Sequence, residues 1–222
     1  MKENFVHVCF VIDESGSMYS KKEDVVGGFK SMLEEQKSKS EGDLSVSLYR
    51  FNSEVHKDYV GKSINDVDFN FNYSPNGLTA LFDGVGLAID EIGKWLDSMS
   101  EDDKPSLNLI VVMTDGMENA SKEYNAAQVK EMIKHQEEKY NWKFIYMGAD
   151  VTDSKDADSL GFKTKLYTTK DKWDDNYQLI NSAVNAYRIG ATDSSVSMFL
   201  ATEAMKATKE YNDKTGLNLS SV

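Results

Sequence analysis

Three short segments that are almost entirely apolar place the strongest constraint on the fold of this chain. They are Phe5–Ile12, Leu107–Met113 and Trp142–Met147, and each has Gly, Asp or Asn within two residues of one of its ends. A strand is apolar along its whole length when both of its faces are covered, as happens in parallel sheets. Leu44–Phe51 alternates instead, and Val55–Val60 follows it after a three-residue turn. That pair predicts an antiparallel hairpin at the edge of the sheet.

Helical segments alternate with these strands. Apolar residues spaced three and four apart run from Val25 to Leu33, from Leu81 to Leu96 and from Val129 to Ile133. Two further stripes, Tyr177–Tyr187 and Val196–Tyr211, predict helices in the last part of the chain. Strands that alternate with helices predict an α/β fold with a doubly wound, mostly parallel sheet, helices on both faces and one antiparallel edge strand.

The length and composition fit one packed unit. The chain has 222 residues, of which 40% are hydrophobic and only 2 are proline, and no Pro/Ser/Gly-rich linker interrupts it. We therefore predict a domain core over residues 1–170. Residues 171–222 are predicted to be a C-terminal helical extension, packed on that core or continuous with it.

Charge and apolar content exclude several classes of function. The formal net charge is -12 and no long Lys/Arg run occurs, so we expect no nucleic-acid partner. No segment approaches the roughly 20 apolar residues of a membrane span, so we expect no membrane association. The lone cysteine, Cys9, cannot form a disulfide within the chain. Together these features lead us to expect a cytoplasmic protein.

Oxygen-bearing side chains follow the two central apolar strands. Asp13, Ser15 and Ser17 come directly after the first, Asp115 comes after the second, and Thr79 precedes the second helical stripe. Ligands of open α/β sheets bind beyond the carboxyl ends of the strands, so these segments are expected to meet. Carboxylates and hydroxyls suit Mg²⁺ or Mn²⁺, and Ca²⁺ also accepts them, whereas Zn²⁺ and Cu⁺ favour thiolate and imidazole. Two carboxylates balance the charge of a dication. The bound cation can then also bind a carboxylate of a partner.

Residues near these five are expected to form the rim of the site. The predicted partner-binding rim comprises Glu14, Met18, Tyr19, Asn76, Leu78 and Glu118. The two glutamates could instead bind a second cation, repel wrong partners or simply face solvent. Asp83, on the helix after Thr79, is expected to orient Ser or Thr hydroxyls of the site from a second layer.

With these residues the chain resembles the von Willebrand factor A family, over roughly Asn4 to Asp150. That family carries a metal-ion-dependent adhesion site (MIDAS) made of an Asp-x-Ser-x-Ser loop, a distant Thr and a distant Asp. The matching residues are Asp13, Ser15, Ser17, Thr79 and Asp115. The resemblance implies a six-strand sheet in the order 3-2-1-4-5-6. It is greatest to stand-alone bacterial and bacteriophage members, which implies a bacterial or phage-infected cytoplasm and an association with AAA-type ATPases.

We therefore predict a divalent-metal-dependent interaction module that binds an acidic group of a protein partner and is not an enzyme. The Asp13→Ala substitution is expected to remove that binding and leave the fold intact. The alternative is a structural or assembly protein, either a homo-oligomer or a component of a virion or ATPase adaptor, in which the metal only stabilises loops.

A metal-dependent hydrolase is the third possibility, and the sequence gives little for it. A phosphatase of the haloacid dehalogenase type would need an acid where Ser15 stands. His7, His56 and His135 fall on a predicted strand, an edge hairpin and a helix, so none is placed to activate a serine nucleophile.

Overall fold

The computed structural model describes residues 1–148, 154–167 and 173–216. Its strands are β1 (Lys2–Asp13), β2 (Asp43–Phe51), β3 (Val55–Ser63), β4 (Pro105–Thr114), β5 (Lys143–Gly148) and β6 (Thr164–Tyr167). Its α-helices are α1 (Lys22–Ser38), α2 (Leu81–Asp97), α3 (Ala126–Tyr140), α4 (Ser154–Leu160), α5 (Trp173–Arg188) and α6 (Asp193–Thr215), and a short 3-10 helix, Gly16–Lys21, precedes α1. None of these helices has the length and apolar character needed to cross a lipid bilayer.

The strands form one sheet in the order β3-β2-β1-β4-β5-β6. β1 pairs in parallel with β2 on one side and with β4 on the other, so Val8 lies between Val46 and Leu109. β3 is antiparallel to β2, and the remaining pairings are parallel. The predicted doubly wound sheet, its strand order and its antiparallel edge are confirmed. Helix α4 and strand β6 are additions that the residue pattern did not predict.

Strand β1 separates two hydrophobic layers because its successive side chains point to opposite faces. Val8, Phe10 and Ile12 belong to the layer that packs against α1, α5 and α6. Cys9 and Val11 belong to the layer that packs against α2, α3 and α4. All five side chains are buried. Coverage of both faces explains why the segment is almost entirely apolar.

Helix α5 contributes directly to the first of these layers. Trp173 and Tyr177 are buried in the same cluster as Phe29 of α1. The hydroxyl of Tyr177 donates a hydrogen bond to the carbonyl of Val25, at 3.1 Å. The first part of the predicted C-terminal extension therefore shares the core of the sheet. The division of the chain at residue 170 stays a prediction.

Arg188, the last residue of α5, ties that helix to the end of α1. Its Nη1 donates to the carbonyl and the side-chain oxygen of Gln36, at 2.7 and 2.8 Å. Its Nη2 donates to the carbonyls of Lys39 and Gly42, at 3.3 and 3.0 Å. The last carbonyls of a helix have no partner within the helix, and here a buried guanidinium supplies one.

Candidate metal site

The predicted site residues lie at one edge of the sheet. β1 ends at Asp13 and β4 ends one residue before Asp115. Ile12 and Met113 are register partners in the parallel pair, so Asp13 and Asp115 lie at the same end of two neighbouring strands. Thr79 lies two residues before the start of α2. The three segments therefore meet beyond the carboxyl ends of the central strands, where the sequence places them.

Oxygens from the first loop and from the Thr79 segment surround one small volume beside Gly116, which belongs to the third segment. A β carbon built on Gly116 would lie 3.3 Å from Thr79 Oγ1, 3.5 Å from Ser17 Oγ and 3.9 Å from Asp13 Oδ2. Thr79 is held there by its own N–H, which donates to Asn119 Oδ1 at 2.9 Å. A side chain at position 116 would crowd this volume, so the glycine keeps the three oxygens accessible to a small ligand.

Hydrogen bonds connect the remaining oxygens to this group. Ser15 Oγ lies 3.0 Å from Ser17 Oγ, and Ser17 Oγ donates to Asp115 Oδ1 at 2.5 Å. In the described part of the chain, no three His, Cys, Asp or Glu side chains cluster as a metal site. The set instead consists of two carboxylates and three hydroxyls. Those are hard oxygen donors, which fit Mg²⁺ or Mn²⁺.

Asp13 is a buried carboxylate with neutral partners. Its Oδ1 accepts from the N–H of Ser15 at 2.7 Å, and its Oδ2 accepts from Thr114 Oγ1 at 2.6 Å. Burial raises the pKa of Asp13 to about 6, although both hydrogen bonds act in the opposite direction. None of the ion pairs among the described residues involves Asp13. A bound dication would offset the cost of burying this charge.

Asp115 has a cationic partner that the sequence did not indicate. Its Oδ2 contacts the ammonium of Lys21, at the end of the 3-10 helix. The Lys21 and Asp115 side chains are only 10% and 2% exposed. The ion pair joins residues 94 positions apart. Lys21 is therefore part of the site.

Backbone contacts hold the first loop against the segment that carries Thr79. The N–H of Gly16 donates to the carbonyl of Gly77 at 3.2 Å, and the N–H of Asn76 donates to the carbonyl of Glu14 at 2.9 Å. Gly77 has a φ of +75°, a conformation that favours glycine. The Asp-x-Ser-x-Ser loop and the Thr79 segment therefore form one connected surface.

Two predicted rim residues lie in the interior. Met18 is fully buried in the first hydrophobic layer, because the 3-10 helix turns its side chain toward the core. Glu14 is 3% exposed; it accepts from Arg50 Nη1 at 2.7 Å and from the N–H of Ser74. The prediction of a rim position is wrong for both. Glu14 does not face solvent either, and it anchors the segment before Thr79.

Glu118 is partly buried and organises its own loop. Its Oε1 accepts from the N–H groups of Ala120 and Ser121, at 2.8 and 2.7 Å. Its Oε2 accepts from the N–H of Phe82 and the hydroxyl of Ser121, at 3.0 and 2.7 Å. Both oxygens thus hold the loop that follows Gly116, and the position of this side chain on a partner-binding rim stays a prediction.

Asp83 also has a different role from the one predicted. Its carboxylate accepts from the N–H groups of Lys122, Glu123 and Tyr124, at 2.8 to 3.0 Å. It therefore holds the segment before α3 rather than orienting a hydroxyl of the site. The side chain that does hydrogen-bond to Asp13 is that of Thr114, which the sequence marks only by its place directly before Asp115.

Exposed side chains follow or precede the candidate ligand residues in three segments of the chain. Tyr19 is 75% exposed and Leu78 is 55% exposed, and Asn76 is also exposed. Met117, next to Gly116, is 54% exposed and was not predicted. These exposures agree with the rim position predicted for the first three. Their contact with a partner stays a prediction.

Several solved structures of known proteins have a fold similar to that of this chain. No protein-family model matches the sequence, and no curated protein matches it. Proximal thread matrix protein 1 from the mussel byssus, solved with a zinc-occupied MIDAS motif, superposes with a TM-score of 0.58 at 16% identity. The match covers 83% of this chain and 47% of that one, so this chain spans about half of the mussel protein's length.

Two other solved structures have similar folds. The vWF domain of the type V pili tip protein Mfa5 from Porphyromonas gingivalis gives a TM-score of 0.57 at 12% identity, over 81% of this chain and 95% of that one. The manganese-loaded TRAP protein of Plasmodium vivax gives 0.55 at 18% identity, over 81% and 73%. Identities this low establish the architecture alone, and the chain therefore has the von Willebrand factor A fold that its Asp-x-Ser-x-Ser motif predicts.

Proposed function

We propose that this chain is a divalent-cation-dependent protein-interaction module, in which a bound cation binds a carboxylate of a protein partner. The proposed ligand residues are Asp13, Ser15, Ser17, Thr79 and Asp115. The observation that carries the proposal is the convergence of Thr79, Ser17 and Asp13 oxygens on one point beside Gly116. That arrangement brings three distant segments of the chain together around one point.

The chemistry of the donors favours Mg²⁺, with Mn²⁺ and Ca²⁺ as further candidates. Two carboxylates balance the charge of a dication, and the hydroxyls add no charge. The bound cation would supply a positive centre that a partner carboxylate can approach. The mussel protein is described with zinc in its MIDAS motif and the Plasmodium protein with manganese, so a metal screen should include both.

The proposed role involves no catalysis. Both ring nitrogens of His7 contact serine hydroxyls in the core, Ser45 Oγ at 2.9 Å and Ser47 Oγ at 3.2 Å. His7 is therefore not placed to activate Ser15 or Ser17. The latter two contact each other, and Ser17 donates to a carboxylate.

Replacing Asp13 by Asn is expected to weaken Mn²⁺ binding at least tenfold, because one of two charged donors is lost. Asn can keep both contacts of the native residue: its oxygen accepts from Ser15, and its amide can donate to Thr114 Oγ1. Alanine would leave both groups without a partner, so Asn is the cleaner test. Electron paramagnetic resonance of free Mn²⁺ measures the affinity directly.

The matched control is Asp102→Asn, which removes the same charge from an exposed site before β4. This variant should bind Mn²⁺ like the native chain. Equal affinities of the Asp13→Asn and native chains would contradict the proposed ligand set.

Replacing Tyr19 by Ala is expected to lower affinity for an acidic ligand about tenfold and leave Mn²⁺ affinity unchanged, because exposed aromatic side chains often dominate interface energies. The ligand is an immobilised peptide library with a central Asp, and a library with central Asn is its negative control. Tyr140→Ala is the matched variant, since Tyr140 is 62% exposed at the end of α3, before β5 begins. Equal capture by both variants, or capture that survives chelation of the metal, would contradict the proposed surface.

An assembly role is the second candidate, and helix α6 is the observation that favours it. Met198 is 71% exposed and Met205 is 54% exposed on that helix. Such a role requires an oligomer that light scattering detects equally with and without chelator. The identity of the partner, an association with AAA-type ATPases and a cytoplasmic location stay predictions.

A further inference from the structure

Lys21 is a charged side chain in a place where lysine is rarely found. The whole residue is 8% exposed, and no other lysine among the described residues is buried. Lysine is almost never buried unless its ammonium has a partner, and here the partner is Asp115. The neighbouring Lys22 is exposed at the start of α1. The chain thus directs one of two consecutive lysines into the site.

The contacts of Asp115 show what this lysine competes with. Asp115 Oδ1 accepts from the hydroxyl of Ser17, and Asp115 Oδ2 contacts the ammonium of Lys21. An ammonium and a divalent cation both bind carboxylate oxygens, and the two positive charges repel each other at short range. A cation bound by Asp115 would therefore have to displace the ammonium or tolerate its charge nearby.

We propose that Lys21 is a tethered competitor that lowers the affinity of the site for divalent cations. The inference rests on the proposed function, since it assumes that Asp115 is a metal ligand. With Lys21 nearby, a dication and two carboxylates carry a net charge of +1 rather than zero. A partner carboxylate restores neutrality, so the cation and an acidic partner bind better together than either binds alone. Lys21 thereby links occupancy of the metal site to the presence of the partner.

The test measures Mn²⁺ affinity by electron paramagnetic resonance in the native chain, Lys21→Met and Lys22→Met. Methionine keeps an unbranched apolar stem in the buried position and removes the charge. The expected result is about tenfold tighter Mn²⁺ binding by Lys21→Met, because a buried like charge is removed. Lys22→Met loses the same charge from an exposed position, so its affinity should match that of the native chain. If Lys21→Met does not fold, Lys21→Gln removes the charge and still donates to Asp115.

The outcomes separate this inference from the proposed function. Native-like or weaker Mn²⁺ binding by Lys21→Met would overturn the competitor role, while the proposed function would survive if the native chain binds Mn²⁺. Binding by Lys21→Met alone would support the competitor role and refute metal-dependent binding by the native chain. Absence of binding by every variant would overturn both.

Discussion

Replacing Gly28 by alanine is expected to destabilise the domain by about 2–3 kcal/mol, although alanine is the better helix former. A β carbon on Gly28 would lie 2.3 and 2.4 Å from two ring carbons of Tyr177. That ring cannot move away easily, since its hydroxyl donates to Val25 O and contacts Met113 Sδ at 3.2 Å. Helix α5 would have to shift away from α1 instead.

The adjacent glycine provides a matched control with the opposite sign. A β carbon on Gly27 would meet nothing within 4 Å, and the residue is exposed on the same helix. The Gly27→Ala substitution should therefore stabilise by about 0.5–1 kcal/mol through helix propensity. Urea unfolding followed by tryptophan fluorescence measures both free energies. Equal stability of the two variants would show that α5 does not pack against α1 as described.

The sheet could be predicted from the sequence because covering both faces of a strand leaves a clear pattern. Phe5–Ile12 and Leu107–Met113 are apolar on both sides, and the structure places each inside a longer parallel strand. Strand β6 escaped this reasoning. It has four residues, Thr164–Tyr167, which are too few to show a period, and two of them are partly exposed.

The location of the candidate site could also be predicted, because parallel strands release their next residues at a common edge. Individual side-chain directions could not. Met18 sits in a six-residue 3-10 helix, where no repeating pattern separates an inward from an outward side chain. The Lys21–Asp115 and Glu14–Arg50 ion pairs join residues far apart in the chain, and a single sequence carries no signal of such pairing.

The buried side chain of His7 is a second feature of the core that affects the stability of the domain. His7 lies in β1, fully buried, with its ring centroid 4.6 Å from that of Trp95. Its two nitrogens contact Ser45 and Ser47 of β2, and Ser47 Oγ also accepts from the N–H of Gly61 at 2.9 Å. Burial lowers the pKa of His7 to about 3 from an ordinary value of 6.5. The folded chain therefore holds this imidazole neutral at any moderately acidic pH.

Mild acid is consequently expected to destabilise the domain through His7. Below pH 6.5 the imidazole of the unfolded chain binds a proton, whereas that of the folded chain does not bind one until about pH 3. The contribution of His7 to the free energy of unfolding is therefore fully present above pH 6.5 and falls as the pH drops from 6.5 to about 3. At about 1.36 kcal/mol per pH unit, the loss reaches about 2 kcal/mol at pH 5 and about 3.4 kcal/mol at pH 4. Urea unfolding of the native chain and of His7→Gln at pH 7.5 and 5 isolates this contribution, since the variant should lack it. His135→Gln, at an exposed position on α3, should retain the full loss. If His7→Gln loses as much stability at pH 5 as the native chain, the acid sensitivity arises elsewhere, and the buried imidazole is not its source.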